Sequence, residues 1–492
     1  MIRSQHLSCK YALAAFLLFG LQGIVANGGA IELVLSDLRL PIDFTAGRSF
    51  HLNISIYWTL IGMMGAIYFF FSQETKQEIY IVKHINFNFW LIIATIGMSL
   101  GSLLLGFNDG REYLEAVWPL KILLAGSTLI FGYMLFRTYL NSIVPKSRAT
   151  LISMLAGSLT LAIFYLPNIV SYDHPSIDEM MKYLVVHLWE EMTLELMGTG
   201  VLAALLINMT KADRRVAEAA IYLDISFMAL GGILATGHHY YWIGVPELWI
   251  WIGGFFSAIQ IIPTIVLLYA VFQTTKFESF SKFNYHEKIT LMLIGSSMFY
   301  HIFGAGFTGL FMAYPPINRY IHGTYIVSAH SHLALFGVFG FLVLAVSFYI
   351  LFTKVTLSKT LYQWCVVAIF SLNLGLLTMS AGLTIAGGLQ AYCWYVFGLS
   401  TADTNTLIKP YLAIRILGGL MYSAGSTILT YAVLKSIWPQ LKSIFTDNCY
   451  ASDNRYYKER LVLTLFKSLI KKQREAAALL QKIKEIVNRS VR

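Results

Sequence analysis

Six histidines carry most of the chemistry open to this chain. His51 opens one long apolar run and His187 opens another. His238 and His239 close a third, and His330 and His332 lie inside a fourth as His-Ser-His. Neutral imidazole is the commonest metal ligand at physiological pH. Ionisable side chains inside apolar spans are costly, and a single one reads most simply as a hydrogen-bonded core residue. Six of them on four spans point to buried metal. Carboxylates accompany them: His187, Glu191 and Glu195 stand at i, i+4 and i+8, along one helix face. Glu191 would add a hard oxygen to the imidazoles, a donor set that favours iron over copper. Glu195, one turn deeper, is placed to relay protons. Glu190 points elsewhere and takes no role.

Angles separate the histidines into groups. Residues i and i+2 of a helix point about 200° apart, so His330 and His332 serve two groups on opposite sides of their helix. That suits two hemes flanking it, with His51 as second axial ligand to one. His187, His238 and His239 then form a three-imidazole site facing the other. Neighbouring residues in a regular helix diverge by about 100°, so His238 and His239 need a helix end, in keeping with Pro246 shortly after.

The elements that hold these groups are membrane helices. The chain has 492 residues, 57% hydrophobic and 13% charged, an integral-membrane composition. Twelve stretches are long and apolar enough to cross as helices, near 11–35, 50–71, 89–107, 117–140, 149–170, 183–208, 217–243, 247–275, 288–314, 320–352, 360–388 and 407–437. Alternate connections carry Lys76 and Lys83, Lys146 and Arg148, Lys211, Arg214 and Arg215, Lys276 and Lys282, and Lys354 and Lys359. The others are poorer in basic residues and include Asp173, Asp178 and Glu179. Both termini are therefore expected in the cytoplasm, which places all six histidines within roughly 15 Å of the outer surface. The first span resembles a signal peptide, but its apolar run continues to Leu35, so a retained helix is expected. A catalytic region over 1–437 precedes a basic cytoplasmic tail over 438–492, where 12 Lys and Arg against 5 Asp and Glu give +7 of the net +10. Such a tail suits anionic lipid rather than nucleic acid. Cys9, Cys365, Cys393 and Cys449 form no C-x-x-C pair, so no covalently attached heme or cysteine-held metal is encoded.

Several segments together resemble the large catalytic subunit of bacterial respiratory nitric oxide reductases, within the heme-copper oxidase superfamily. They are Gly47-Arg48 with His51, Gly62 and Gly65-Ala66; Gly110-Arg-Glu-Tyr-Leu-Glu115; Val186-His-Leu-Trp with Glu191 and Glu195-Leu196; Gly237-His-His-Tyr-Tyr-Trp-Ile-Gly244; Gly304-Ala-Gly306; Asn318; and His322-Gly-Thr with Ala329-His-Ser-His332. The resemblance covers nearly all of residues 11–437. It implies an all-α bundle like subunit I of those oxidases, in a bacterial inner membrane. It implies low-spin heme b between His51 and His332, and heme b3 on His330. A non-heme iron would sit on His187, His238, His239 and Glu191. Glu112 and Glu115 would lie near the heme propionates, a bound calcium (Glu112) and the proton entry. Electrons would come from a membrane-anchored cytochrome c subunit. The expected reaction joins two nitric oxide molecules into nitrous oxide and water; no run of acids from the cytoplasm supports proton pumping.

One departure stands out. Where the family carries a further glutamate on the eighth span, this chain has Gln260, which keeps an acceptor but has no titratable proton. A nitric oxide dismutase, yielding dinitrogen and oxygen, is therefore an alternative, as is a divergent terminal oxidase. Oxidases use a tyrosine linked to a metal-binding histidine. Here Glu191 stands four residues after His187, and no tyrosine occurs from Asp224 through Gly237. His301 is expected to be structural.

Overall fold

The computed structural model describes residues 1–35, 38, 42–210, 212–274 and 282–446. The expected tail lies outside the described residues from 447 onward. One compact unit covers Met1–Pro439 and a second begins at Gln440; the site lies in the first. Its helices are α1 (Arg3–Val34), α2 (Phe44–Thr75), α3 (Lys83–Leu104), α4 (Trp118–Leu140), α5 (Ala149–Tyr165), α6 (Pro175–His187), α7 (Leu194–Thr210), α8 (Arg214–Ala235), α9 (Glu247–Ile259), α10 (Ile261–Thr274), α11 (Tyr285–Phe299), α12 (Phe307–Ala313), α13 (Pro315–Ile321), α14 (Tyr325–His332), α15 (Phe341–Phe352), α16 (Lys359–Tyr395) and α17 (Thr401–Ile437). Three wide π-helical turns splice them: Leu188–Thr193 joins α6 to α7, Tyr300–Gly306 joins α11 to α12, and Leu333–Gly340 joins α14 to α15.

Spliced this way, the described residues form twelve helical stretches long and apolar enough to cross a membrane. The chain is a multi-pass integral membrane protein. Helices dominate because hydrocarbon offers backbone groups no partner. Polar caps start them outside the apolar stretches: Asp43 accepts from Ala46 N–H, Ser358 from Leu361, Ser400 from Asp403, and Asn284 forms a reciprocal box with Glu287. The apolar window of α2 is wholly buried, so α2 runs through the centre of the bundle. Three chain segments are clamped by one buried carboxylate. Glu74, near the end of α2, takes both forks of Arg214 at 2.7 Å and also accepts from Arg148 and Thr150.

Three starts and one break that bear on the site differ from the hydropathy reading, and α1, α3 and α17 also begin earlier than it, at Arg3, Lys83 and Thr401. α2 begins at Phe44, so His51 lies seven residues inside it rather than at its tip. α6 begins at Pro175, twelve residues before His187. The run expected from 320 is broken at Gly323, whose φ of +77° is left-handed, so α14 begins only at Tyr325 and His330 is five residues in. The eighth span breaks at Gln260 between α9 and α10. Pro263 has no N–H to bond the Ile259 carbonyl.

α16 and α17 approach closely along glycines seven apart. A Cβ on Gly418 would stand 2.3 Å from Met379 N, and one on Gly375 2.4 Å from Tyr422 N. Close backbone approach through small residues is the usual means of helix association in lipid. Gly418→Val is expected to destabilise the protein by about 1–3 kcal/mol or more, because backbone cannot yield as a side chain does. A lower midpoint of thermal unfolding in detergent, with Ala intermediate, would register it; an unchanged midpoint would refute the seam.

Candidate metal and cofactor centre

The last turn of α6, the π turn after it and the end of α8 build one cluster. Ligand atoms of His187, Glu191, His238 and His239 all lie within 4.8 Å of one another. Glu191 Oε1 is 3.2 Å from His187 Nδ1, 3.5 Å from His239 Nε2 and 3.7 Å from His238 Nε2. Among the described residues it is the one group of three or more such ligands. The chain end needed for adjacent histidines is a 3-10 turn, Thr236–His239. His238 Nδ1 lies 2.7 Å from the Ala235 carbonyl. A carbonyl only accepts, so Nδ1 carries the hydrogen and Nε2 is left to bind metal. Asn318 donates to the His238 carbonyl at 3.2 Å, and Tyr183 stacks on His239 at 5.5 Å.

The two histidines of α14 face different cavities, as their angle required. His330 lines a cavity with His238, His239, Glu191, Glu195 and Gln260. Its Nδ1 is 2.7 Å from Thr308 Oγ1. Thr308 already donates to the Gly304 carbonyl, so it accepts from His330, and Nε2 is free. His332 lines a second cavity with His51. Its Nδ1 donates to the Ser328 carbonyl at 2.6 Å. The His51 and His332 rings are 5.9 Å apart and 30° from parallel. Two imidazoles sharing an ion at ~2.0 Å per bond stand about 6 Å apart ring to ring, so this pair fits a six-coordinate heme.

The π turns change what faces the larger cavity. Glu191 and Glu195 both line it, as the helical spacing required, but so does Glu190. The expectation that Glu190 points elsewhere is corrected. A π turn holds more residues than an α turn, so the face after His187 takes in one extra side chain. Glu190 Oε1 is buried without a partner. His301, expected to be structural, also reaches this cavity. Carried on the second π turn, it lines the cavity and its Nε2 is 3.3 Å from Glu195 Oε2. The other Glu195 oxygen is 3.4 Å from Thr199 Oγ1. Asp224, nearby in α8, has both oxygens buried and unpartnered. Gln260 sits at the α9–α10 break with its Nε2 buried and unpartnered.

The loop before α4 covers the region. Glu112 pairs with Arg48. Glu115 is buried and accepts from Ser49 Oγ at 3.0 Å and Asn53 Nδ2 at 2.6 Å. Burial raises its pKa from the ordinary carboxylate value, against the pull of Ser49, Arg48 and Asn53. Tyr113 is held at φ +68°, a conformation that strains a side chain of this size. It lies against Ser331, between the two α14 histidines, and against Glu190, and burial pushes its phenol up to about 12. Burial also lowers the pKa of His322, in the turn before α14, to about 4.

A helical membrane bundle with imidazoles on both sides of one span, beside a three-histidine carboxylate cluster, defines a membrane oxidoreductase built around buried metal. Residues 6–421 match the family described as Cytochrome C and Quinol oxidase polypeptide I, and the chain belongs to that family. Its members bind hemes and a binuclear metal. The chain is 28% identical to a nitric oxide reductase subunit of Stutzerimonas stutzeri over 458 residues, 87% of this chain and 94% of that protein. It is 24% identical to a cytochrome c oxidase subunit 1 homolog of Agrobacterium tumefaciens (strain T37), over 87% of this chain and 83% of that one. A heme-copper terminal oxidase dimer solved by cryo-EM shares the fold, with a TM-score of 0.67 and 14% identity over 89% of this chain and 84% of its own.

Proposed function

We propose that the chain is the catalytic subunit of a respiratory nitric oxide reductase in a bacterial inner membrane, both termini cytoplasmic, fed by a membrane-anchored cytochrome c subunit. The observation that carries this is Glu191, whose carboxylate oxygen lies within 3.7 Å of all three clustered imidazoles. An oxygen donor there suits non-heme iron rather than copper. His187, His238, His239 and Glu191 would hold that iron, His330 heme b3, and His51 with His332 heme b. When bound, these groups supply the electrons and hold two nitric oxide molecules side by side.

The chain's own residues handle position and protons. Two nitric oxide, two electrons and two protons give nitrous oxide and water. Thr308 fixes the His330 tautomer so that Nε2 faces the cavity. Glu195, in contact with His301 and Thr199, is placed to relay protons beside that cavity. Glu115, whose raised pKa favours the protonated form, suits a proton-holding site at the outer mouth, with Glu112 as a second acid and a calcium ligand.

Gln260 favours one second reading, a dismutase, because it faces the cavity without a titratable proton. Purified protein is expected to contain two b hemes and one non-heme iron with no copper. Given isotopically labelled nitric oxide and an electron donor, native protein and Gln260→Glu are both expected to release nitrous oxide alone. A buried carboxylate at 260 costs several kcal/mol unless paired, and the iron's charge would offset it. Dinitrogen and oxygen appearing without a donor would install the dismutase, and copper in the cluster would install an oxidase.

A further inference from the structure

Behind Glu195 stands a second acid that the proposed chemistry leaves idle. Asp224 projects from the middle of α8 and is only 1% exposed. Neither of its oxygens has a hydrogen-bond partner among the described residues. It does not line the large cavity. The groups that act on it are Glu195, Thr199 and His301, carried by two other spans. An ionised carboxylate without hydrogen bonds is among the costliest groups to bury, and taking up a proton removes most of that cost.

Thr199 joins the two carboxylates. It follows Glu195 by one turn on the same face of α7, further along the helix from Glu191. Its Oγ1 is 3.4 Å from Glu195 Oε1, and it also acts on Asp224. A hydroxyl has one hydrogen to give and two lone pairs to receive. It therefore serves one carboxylate at a time, and it can accept from one while donating to the other. His301 closes the group from the π turn after α11. Its Nε2 is 3.3 Å from the other Glu195 oxygen, and it lies within electrostatic reach of Asp224. Glu195 and His301 line the large cavity, as does Gln260, which has no proton to titrate. Contacts thus run from Asp224 through Thr199 to Glu195, with Glu195 at the cavity wall.

We propose that Asp224 is a proton store behind Glu195, that the Thr199 hydroxyl carries its proton forward, and that this store supplies the proton that Gln260 cannot. The step balances within the cluster. Glu195 gives its proton to the cavity and is left ionised. The Asp224 O–H bond then breaks as the Thr199 oxygen accepts that hydrogen. The Thr199 O–H bond breaks as Glu195 accepts the other. Glu195 ends protonated, Thr199 unchanged and Asp224 ionised, and no electron has moved. His301, as imidazolium, offsets a negative charge that would otherwise stand uncompensated in a low dielectric. Asp224 regains a proton from solvent between turnovers. The inference rests on the proton-consuming reaction proposed for this cavity, but not on nitric oxide as substrate.

Infrared difference spectroscopy on the purified, metal-loaded protein reads the store without turnover. A protonated Asp224 gives a carboxylic-acid carbonyl stretch that moves down in heavy water. That band should be present in native protein, lost in Asp224→Asn and displaced in Asp224→Glu. Turnover of Asp224→Asn should fall about 10²-fold, the lower end of what a positioned proton donor contributes, with heme and iron content unchanged. Asp224→Glu should recover most of it. Thr199→Val keeps the shape of the side chain and removes the hydroxyl; it should keep the Asp224 band and lose turnover, whereas Thr199→Ser should keep both. Should Asp224→Asn fail to assemble, Asp224→Glu and the two Thr199 variants decide. An acid band that neither Asp224 variant alters would overturn the store, and native turnover in Thr199→Val would overturn the route through its hydroxyl. Native protein that shows the Asp224 band but consumes no nitric oxide would overturn the reductase reading and leave the store standing.

Discussion

Glu191→Ala is expected to empty the non-heme site and stop turnover, while both hemes remain. The carboxylate is the hub of the cluster, 3.2 to 3.7 Å from three imidazoles. Removing it takes away the only anionic donor among four ligands and leaves three neutral rings to hold a dication. Loss of even an outer-shell partner typically costs 10–100-fold in metal affinity, so loss of the carboxylate itself should cost at least ~100-fold. Iron per chain in excess of heme, measured by mass spectrometry alongside heme content, should fall from one to near zero. Glu191→Asp should retain some iron, because it keeps the charge and shortens the reach. Glu190→Gln separates the two adjacent acids: Glu190 stands outside the four-ligand cluster, and its change should leave the iron in place. Full iron and full nitric oxide consumption in Glu191→Ala would reduce Glu191 to a structural residue and withdraw the reason for preferring iron.

The histidines were legible in the sequence because hydropathy penalises them. Each is a costly residue in an apolar run, so type and position alone single it out. The angle between His330 and His332 was legible too, since it depends only on helix geometry, and the structure puts the two in separate cavities. The partners that fix them were not. Thr308 reaches His330 from another span, and His301 reaches Glu195 in the same way; no local pattern carries a contact between distant segments. Glu190 was misplaced for a different reason. Periodicity assumes 3.6 residues per turn, and a π turn breaks that count without any residue-level mark. The hydropathy boundaries failed where polar caps extend a helix beyond its apolar part, as at Phe44 and Pro175.

His332→Ala is expected to remove the low-spin heme signal and spare the high-spin one. His332 and His330 are two residues apart, yet they face different cavities and take different second partners, Ser328 and Thr308. Truncating one ring therefore leaves the other's tautomer and position untouched. In the smaller cavity the loss is asymmetric. His332 is oriented by the Ser328 carbonyl, while His51 Nδ1 is buried without a partner among the described residues. His51 thus depends on the bound group to hold its ring, and either deletion should break six-coordination. The absorption and electron paramagnetic spectra of the purified variants decide it: His332→Ala and His51→Ala should each lose the low-spin heme, and His330→Ala should lose the high-spin one. Added imidazole can enter the space that a deleted ring vacates, and it should restore part of the low-spin signal in His332→Ala. A normal six-coordinate spectrum in either of the first two variants would mean that the facing rings, 5.9 Å apart, are not the axial pair. Electrons would then have to reach the larger cavity by another route.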